Sequence, residues 1–553
     1  MSLLGVLLAA TPSPIPTALP TAIATALASP SPSPSPISPF GPTLIHFNFL
    51  LSTLIWAPIV VAVLIALIPN PRGRYDRTIR QTAFWTSAGL LFLTLVMYGT
   101  ASLFSSAPVF EENIPWLPAL GIGYHLAVDG VTIPLLLSGS LIGVVAVLAS
   151  SNVRERVREY FVLLLLVQGT VNGVLCARDT FVIVLFWGAG VLPVSLLLAG
   201  WGGPGRRLAA GRYLAYGAIG TIALGAAVVT LYATTGGISF DYDYLGHAVF
   251  NSRLQVVIAI LLVIAAATRL PLVPLHGWAR DVFAEATPGV AVLVAGIATR
   301  LGGYLLIRLL VIDQHDGARV VAPFLAALAA ATVLYPALVA LRTRDIRRFG
   351  AYVALVPGGV FALGIAGLTS IALLGASLQL VVGGLAAALV VGVTATIAER
   401  AQTRDVEQMG GLAPRMPKLS WMLVLAGMAV VGVPGFASFV AEALTLFGTF
   451  RSQPGASFVV LAGLALLAVA LAYGFQRILF GSPRPDAPGA SDASLGEMWY
   501  LGLLVGLLLW WGVLPGGPKL GGTVPLPFDP GIINVINNTT ADIMSAYPVA
   551  TTP

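Results

Sequence analysis

The sequence predicts an all-α polytopic membrane protein with about fourteen transmembrane helices, and three observations carry that reading. Hydrophobic residues make up 57% of the 553 and charged residues only 9%, with a mean hydropathy of +0.91. A soluble chain of this length needs far more polar surface. Apolar windows of about 20 residues, enough to cross the hydrocarbon layer, recur between short basic or Gly/Pro-rich loops. Basic residues collect in alternate loops, as expected of a chain threaded back and forth across a bilayer.

The same composition excludes several function classes. The net charge of +6 sits in short loops between spans, so it is no nucleic-acid footprint. The single cysteine, Cys176, excludes an internal disulfide and any cysteine-ligated cluster, and reads as packing. No dinucleotide motif, metal cluster or nucleophile triad appears. The chain is therefore expected to be non-catalytic alone, to hold no cofactor, and to leave electron transfer to other chains.

From the N-terminus, residues 1–44 form a Pro/Ser/Thr-rich segment, including TPSPIPTALP and SPSPSPSPISP, expected to be extended or disordered. LLGVLLAA resembles a short signal core, but nothing basic precedes it, so the segment reads as a tail. The transmembrane domain covers 45–515. Its spans fall near 46–68, 82–104, 128–149, 160–177, 180–200, 212–234, 254–278, 288–310, 321–341, 348–366, 371–398, 419–446, 456–480 and 498–515. A tail, 516–553, follows. One set of loops carries most of the 29 basic residues, with clusters at Arg72–Arg80, Arg154–Arg158, Arg206–Arg212, Arg342–Arg348 and Arg400–Lys418. The opposite set is sparse and includes Arg178, Arg253, Arg308 and Arg319. The positive-inside rule then puts both termini on the outer side of the cell's cytoplasmic membrane.

Three charges fall inside spans: Arg269 in AAATRLPLVPLHGW, Arg300 in AGIATRLGGYLLIR and Glu442 in VPGFASFVAEALTLF. A charge at the bilayer centre costs about 2.5–3.5 kcal/mol on insertion scales, so it faces protein or water and marks an ion path. Two spans are also interrupted, the seventh by Pro271 and Pro274 and the twelfth by Pro434-Gly435. Proline frees backbone carbonyls, which is tolerated where a helix lines a cavity or packs on neighbours. Paired interruptions in corresponding spans point to inverted repeats with a site near the midplane. Arg269 and His276 flank the first break and Glu442 follows the second. Other readings stand beside this one: Arg269 snorkelling, His276 bonded to freed backbone, Glu442 buried neutral, and Asp129 and Asp179 as helix N-caps near span ends.

The run ATRLPLVPLHGWARDVFAEATPGVAVLVAGIATRLGGYLLIR resembles the signature of the antiporter-like membrane subunits of respiratory complex I, NADH:quinone oxidoreductase, chain M above all. Further matches are LGIGYHLAVDG, ARDTFVIVLFW, TRDIRRFGAYVAL, VPGFASFVAEALTLFGTF and FQRILFG, so the resemblance covers about residues 45–515. It implies fourteen helices with two inverted five-helix repeats, membrane-arm partners, and a mid-membrane row of groups that carries protons driven by quinone reduction elsewhere. Arg269 and Arg300 stand at the places of the seventh- and eighth-helix lysines, Glu442 at that of the twelfth-helix charge, and Asp179 also matches. The departures are Gly188, where the family carries the fifth-helix glutamate, and Pro357 and Gly383, where it often carries histidines on the tenth and eleventh helices.

Those departures change the chemistry. A buried lysine drops 3–5 units from about 10.4 and exchanges a proton near neutrality. Arginine starts above about 12, and forcing it neutral at pH 7 costs roughly 7 kcal/mol. Arg269 and Arg300 are thus expected to act as fixed charges that orient water and hold Glu442 ionised. Two function classes follow: a proton-translocating subunit with an altered charge path, or a scaffold that keeps the fold and conducts nothing. Subunits of cation/proton antiporters, membrane-bound hydrogenases and inorganic-carbon uptake complexes share the same look.

Overall fold

A computed structural model of the chain describes residues 49–70, 73–100, 110–246, 252–311, 314–480, 491–517, 519–520, 524–525 and 531–545. The expected N-terminal segment, 1–44, and much of 516–553 lie outside the described residues.

Among the described residues, thirteen helices are long and apolar enough to cross a membrane. In order they are α1 Leu50–Leu67, α2 Asp76–Thr100, α3 Thr132–Ala149, α4 Val157–Cys176, the pair α5 Thr180–Ala189 and α6 Val191–Trp201, and α7 Arg206–Thr234. Then come α8 Ser252–Arg269, α9 Gly277–Glu285, α10 Pro288–Val311, α11 His315–Arg342, α12 Ile346–Gly367 and α13 Ser370–Ala401. Last are α14 Pro417–Val431, α15 Ala437–Thr449, α16 Pro454–Leu479, α17 Leu495–Val513 and the short α18 Ile532–Ser545. α9, α14, α15 and α18 are outside the thirteen, and α5 with α6 counts as one. Where the sequence places one twelfth span, two shorter apolar helices, α14 and α15, stand instead.

Local chemistry explains each interruption. Between α5 and α6 the chain turns at Gly190, because Pro193 has no N–H to give and its ring crowds the carbonyl of Ala189. α8 ends at Arg269, and the turn before α9 holds Pro271 and Pro274, the latter after a cis peptide. The freed backbone is not left bare: the Val273 N–H donates to Thr332 Oγ1 at 2.9 Å. Between α14 and α15 the chain passes Gly432 and Gly435, both at positive φ, a backbone state that glycine adopts without a Cβ penalty.

Burial sorts the helices. α1, α2 and α17 present broad apolar faces outward, whereas α10, α12 and α13 are enclosed by other helices through their apolar middle stretches. α10 is not a regular α-helix: Val294–Ala298 and Leu306–Val311 are wider π turns. Such insertions concentrate at functional sites because they re-aim side chains. Among the described residues, two short antiparallel pairs add to the all-α expectation, one of them the two-residue strands Lys519–Leu520 and Val524–Pro525. Strands β1 Phe110–Leu117 and β2 Ile122–Val128 pair antiparallel, Phe110 opposite Val128 and Leu117 opposite Ile122, just before α3.

Candidate functional site

Arg269 is the last residue of α8 and only 3% exposed. Its Nη1 donates to Tyr213 Oη at 2.9 Å and its Nη2 to the Trp187 carbonyl at 2.6 Å. The guanidinium also lies over the Trp187 ring, 5.0 Å from its centroid, and 5.9 Å from that of Tyr213. Aromatic faces attract a desolvated cation by up to about 2 kcal/mol, so this arginine is held without an acid. Gly188 adjoins that carbonyl, and a Cβ there would meet Thr221 Cγ2 at 3.1 Å.

Arg300 follows the first π turn of α10 and is likewise 3% exposed. Its one hydrogen bond, from Nη2 to the Ala295 carbonyl, is long at 3.4 Å, and Nε and Nη1 have no partner among the described residues. Glu442 sits on α15, 5% exposed, with Oε1 unpartnered. Its carboxylate folds back onto the helix break: a Cβ at Gly432 would lie 2.2 Å from Oε2. His276 stands at the end of the other break, its ring edge-on to Tyr335 at 5.0 Å and its Nδ1 unpartnered.

Three further polar groups, which sequence reasoning passed over, are buried on α13 and α15. Gln379 and Ser377 on α13 and Thr445 on α15 each have 0% exposure and unmet polar atoms. They give no hydropathy signal inside strongly apolar helices; only the replacement of a bulkier residue at Gly383, one turn from Gln379, hints at them. Pro357 and Gly383 face one another, with the Pro357 Cβ 2.8 Å from where a Cβ at 383 would stand.

A separate cluster lies at the other end of α10. Asp129 accepts hydrogen bonds from the Val131 and Thr132 backbones, each at 3.1 Å, and Arg308 Nη2 bonds the same oxygen. Arg178 stands 3.9 Å from its other oxygen. Burial opposes ionisation of Asp129, but the charge and hydrogen bond of Arg308, with Arg178, outweigh it and hold the carboxyl well below the usual range. Arg308, which the sequence reading counts with the sparse loops, is instead inside α10 with its side chain 4% exposed. Asp179 caps α5 through Phe181 and Val182 N–H and also accepts from Gly123 N–H at 2.9 Å, tying α5 to the hairpin. Nearby, His125 is held between Glu111, at 2.9 Å, and Asp241. Among the described residues no group of three or more His, Cys, Asp or Glu side chains is gathered for a metal.

The family described as NADH:quinone oxidoreductase/Mrp antiporter, TM, matches residues 177–468, which contain Asp179, Arg269, Arg300 and Glu442. NAD(P)H-quinone oxidoreductase chain 4 1 of Synechococcus sp. (strain JA-3-3Ab) is 32% identical over 453 residues, 82% of this chain and 85% of the relative. This chain belongs to the antiporter-like membrane subunits of complex I. The fold agrees: a chain of respiratory complex I from Thermus thermophilus with bound NADH superposes with a TM-score of 0.78 at 24% identity, covering 89% of this chain and 99% of that one. A chain of the Mrp complex from Dietzia sp. DQ12-45-1b gives 0.77 at 20% identity, over 91% and 98%. As an antiporter-like subunit, the chain is a multi-pass membrane protein and part of a complex I-like multisubunit assembly.

Proposed function

We propose that this subunit carries protons across the membrane, coupled to quinone reduction in the same complex, along an altered charge path. Arg269 and Arg300 serve as permanent charges, Glu442 as the group that binds and releases the proton, and His276 as a polar station at the seventh-helix break. Asp179 and Asp129 fix helix ends around the path. The observation that carries this reading is the state of Arg300 and Glu442: both side chains are buried, Arg300 on the enclosed α10 and Glu442 on the buried face of α15, and neither has an ionic partner among the described residues. A scaffold has no use for two such charges, since each uncompensated buried ion costs several kcal/mol.

The architecture that goes with it has fourteen spans in two inverted five-helix repeats, the fourth to eighth and the ninth to thirteenth. The membrane domain is 45–515, flanked by 1–44 and 516–553, with both termini outside the cytoplasmic membrane. α14 and α15 together, joined through the Pro434-Gly435 break, make the span that raises thirteen to fourteen.

A scaffold reading is favoured by one set of observations: Arg269 is already served by Tyr213 and Trp187, and Gly188, Pro357 and Gly383 offer no acid or imidazole. The likeness in fold to an Mrp complex chain supports a cation/proton antiporter as a further reading. Proton yield per electron in sealed membrane vesicles separates them. With Arg300→Ala, NADH oxidation is expected to persist while the proton yield falls severalfold; an unchanged yield would favour the scaffold.

A further inference from the structure

α1 and α6 both pack on α4, and an apolar groove runs between them over that helix. Leu64 on one wall and Leu192 and Leu196 on the other are all more than half exposed, whereas Val162, Leu163 and Leu166 of the α4 floor are only partly covered. At the end beside the basic loops the groove deepens into a cavity of about 340 Å³. Its lining joins apolar residues, among them Ala66, Leu163 and Leu196, to Arg156, Arg158 and Glu159.

The two arginines are held mostly by neutral groups. Arg156 lies over the Trp201 ring, 4.3 Å from its centroid, and its Nη2 donates to the Gly200 carbonyl at 3.1 Å. Its Nη1 stands 3.4 Å from Glu159, a pair about half exposed on both sides. Arg158 Nη1 donates to the Ile68 carbonyl, at the end of α1, at 3.1 Å. Each guanidinium has five N–H groups, so these contacts fix the two forks and leave donors for a further acceptor. Carbonyls and rings cancel no charge, and Glu159 balances only one of the two cations. A phosphate, with several acceptor oxygens on one anionic centre, suits what is left over.

The groove also has a definite depth. From Ala66 back to Trp56, α1 advances ten residues, about 15 Å at 1.5 Å per residue and half of a hydrocarbon layer of roughly 30 Å. There Trp56 meets Phe186 of α5 edge-on, ring centroids 6.3 Å apart, and its indole N–H donates to Tyr124 Oη at 2.9 Å. The groove is thus closed near mid-membrane. A helix from another subunit needs a seat through the whole thickness; an acyl chain needs one leaflet. From the cations at one end, the apolar walls and the one-leaflet depth, we infer that a phospholipid with an anionic headgroup occupies this groove. Its phosphate rests on Arg156 and Arg158, and one acyl chain lies along α4. Binding of this kind is independent of whether the subunit carries protons.

Phosphatidylcholine vesicles containing the complete complex and a minor share of phosphatidylglycerol with a photoactivatable group on one acyl chain test it, with assembly checked by native electrophoresis. Label mapped by mass spectrometry is expected on peptides covering 56–66 and 192–201, severalfold above that from a phosphatidylcholine carrying the same group. Arg156→Gln combined with Arg158→Gln should bring the two lipids level. Leu196→Trp, which fills the groove and spares both cations, should lower the phosphatidylglycerol label severalfold. Excess inorganic phosphate should leave that label in place; its loss would show that the arginines read a free anion and would overturn the lipid. Equal label from both lipids on the parent complex would make the groove ordinary boundary surface. No label from either, with the complex assembled, would mean that a neighbouring subunit covers it. Each of these two results overturns the inference. Should the double variant fail to assemble, Leu196→Trp decides: an undiminished label would sink the bound lipid.

Discussion

At the scale of single residues, what separates the charges of this chain is the company each keeps. Arg269 is held by aromatic faces and a carbonyl, Arg308 by Asp129, and Arg300 by one long hydrogen bond. Removing one member of a buried pair strands the other, which costs about 3–5 kcal/mol, whereas replacing both by apolar groups is often nearly neutral. Asp129→Asn is therefore expected to lower the thermal stability of the purified complex, and adding Arg308→Met to recover much of it. A single variant as stable as the parent would show that the pair holds nothing in place. These pairings are illegible in the sequence for a physical reason: Asp129 and Arg308 are 179 residues apart, and Arg308 lies so near a span end that it reads as a loop charge. The in-span charges were legible because they interrupt an apolar window; a tyrosine or tryptophan cradling Arg269 interrupts nothing, and neither does the amide of Gln379.

At the scale of elements, the helices and their breaks are local events, and local chemistry announces them. Long apolar windows give the spans, and prolines give the turns after Arg269 and before α15. The β1–β2 hairpin is different, because short mixed segments between spans carry no period long enough to read. His125 helps tie it to the bundle, beside Asp179 and the bonds that Glu112 accepts from Leu51 and Ser52 of α1. Burial alone lowers its imidazole, but the hydrogen bond and charge of Asp241, joined by Glu111, prevail and raise it above 6.5. Asp179 and Arg178 approach the same corner, the Arg178 N–H donating to the His125 carbonyl at 2.8 Å. A raised folded-state value means the clamp contributes fully below about pH 6.5 and is lost as pH climbs through the higher value. Protection of the amides across residues 110–128, measured relative to their intrinsic base-catalysed exchange rates, should accordingly be greater at pH 6 than at pH 9. His125→Gln is expected to abolish that difference; a difference that survives the substitution would mean another group titrates.

For the whole molecule, orientation is the property on which any direction of transport depends. Cys176 is the lone cysteine and is buried, so a cysteine introduced at a loop becomes the reactive one. Thr343→Cys, in a basic loop after α11, is expected to resist an impermeant maleimide in intact cells and to react in inverted vesicles. Thr235→Cys, after α7, should do the reverse. Equal labelling of both from one side would discard the assigned topology.

The break between α14 and α15 carries one more implication. Its left-handed glycine and the carboxylate of Glu442 occupy adjoining space, so any swing of α15 about that joint carries the acid with it. A residue larger than glycine at position 432 stiffens the joint and evicts the carboxylate in the same stroke. Motion and charge are one moving part here, and a variant that slows either should be seen to alter both.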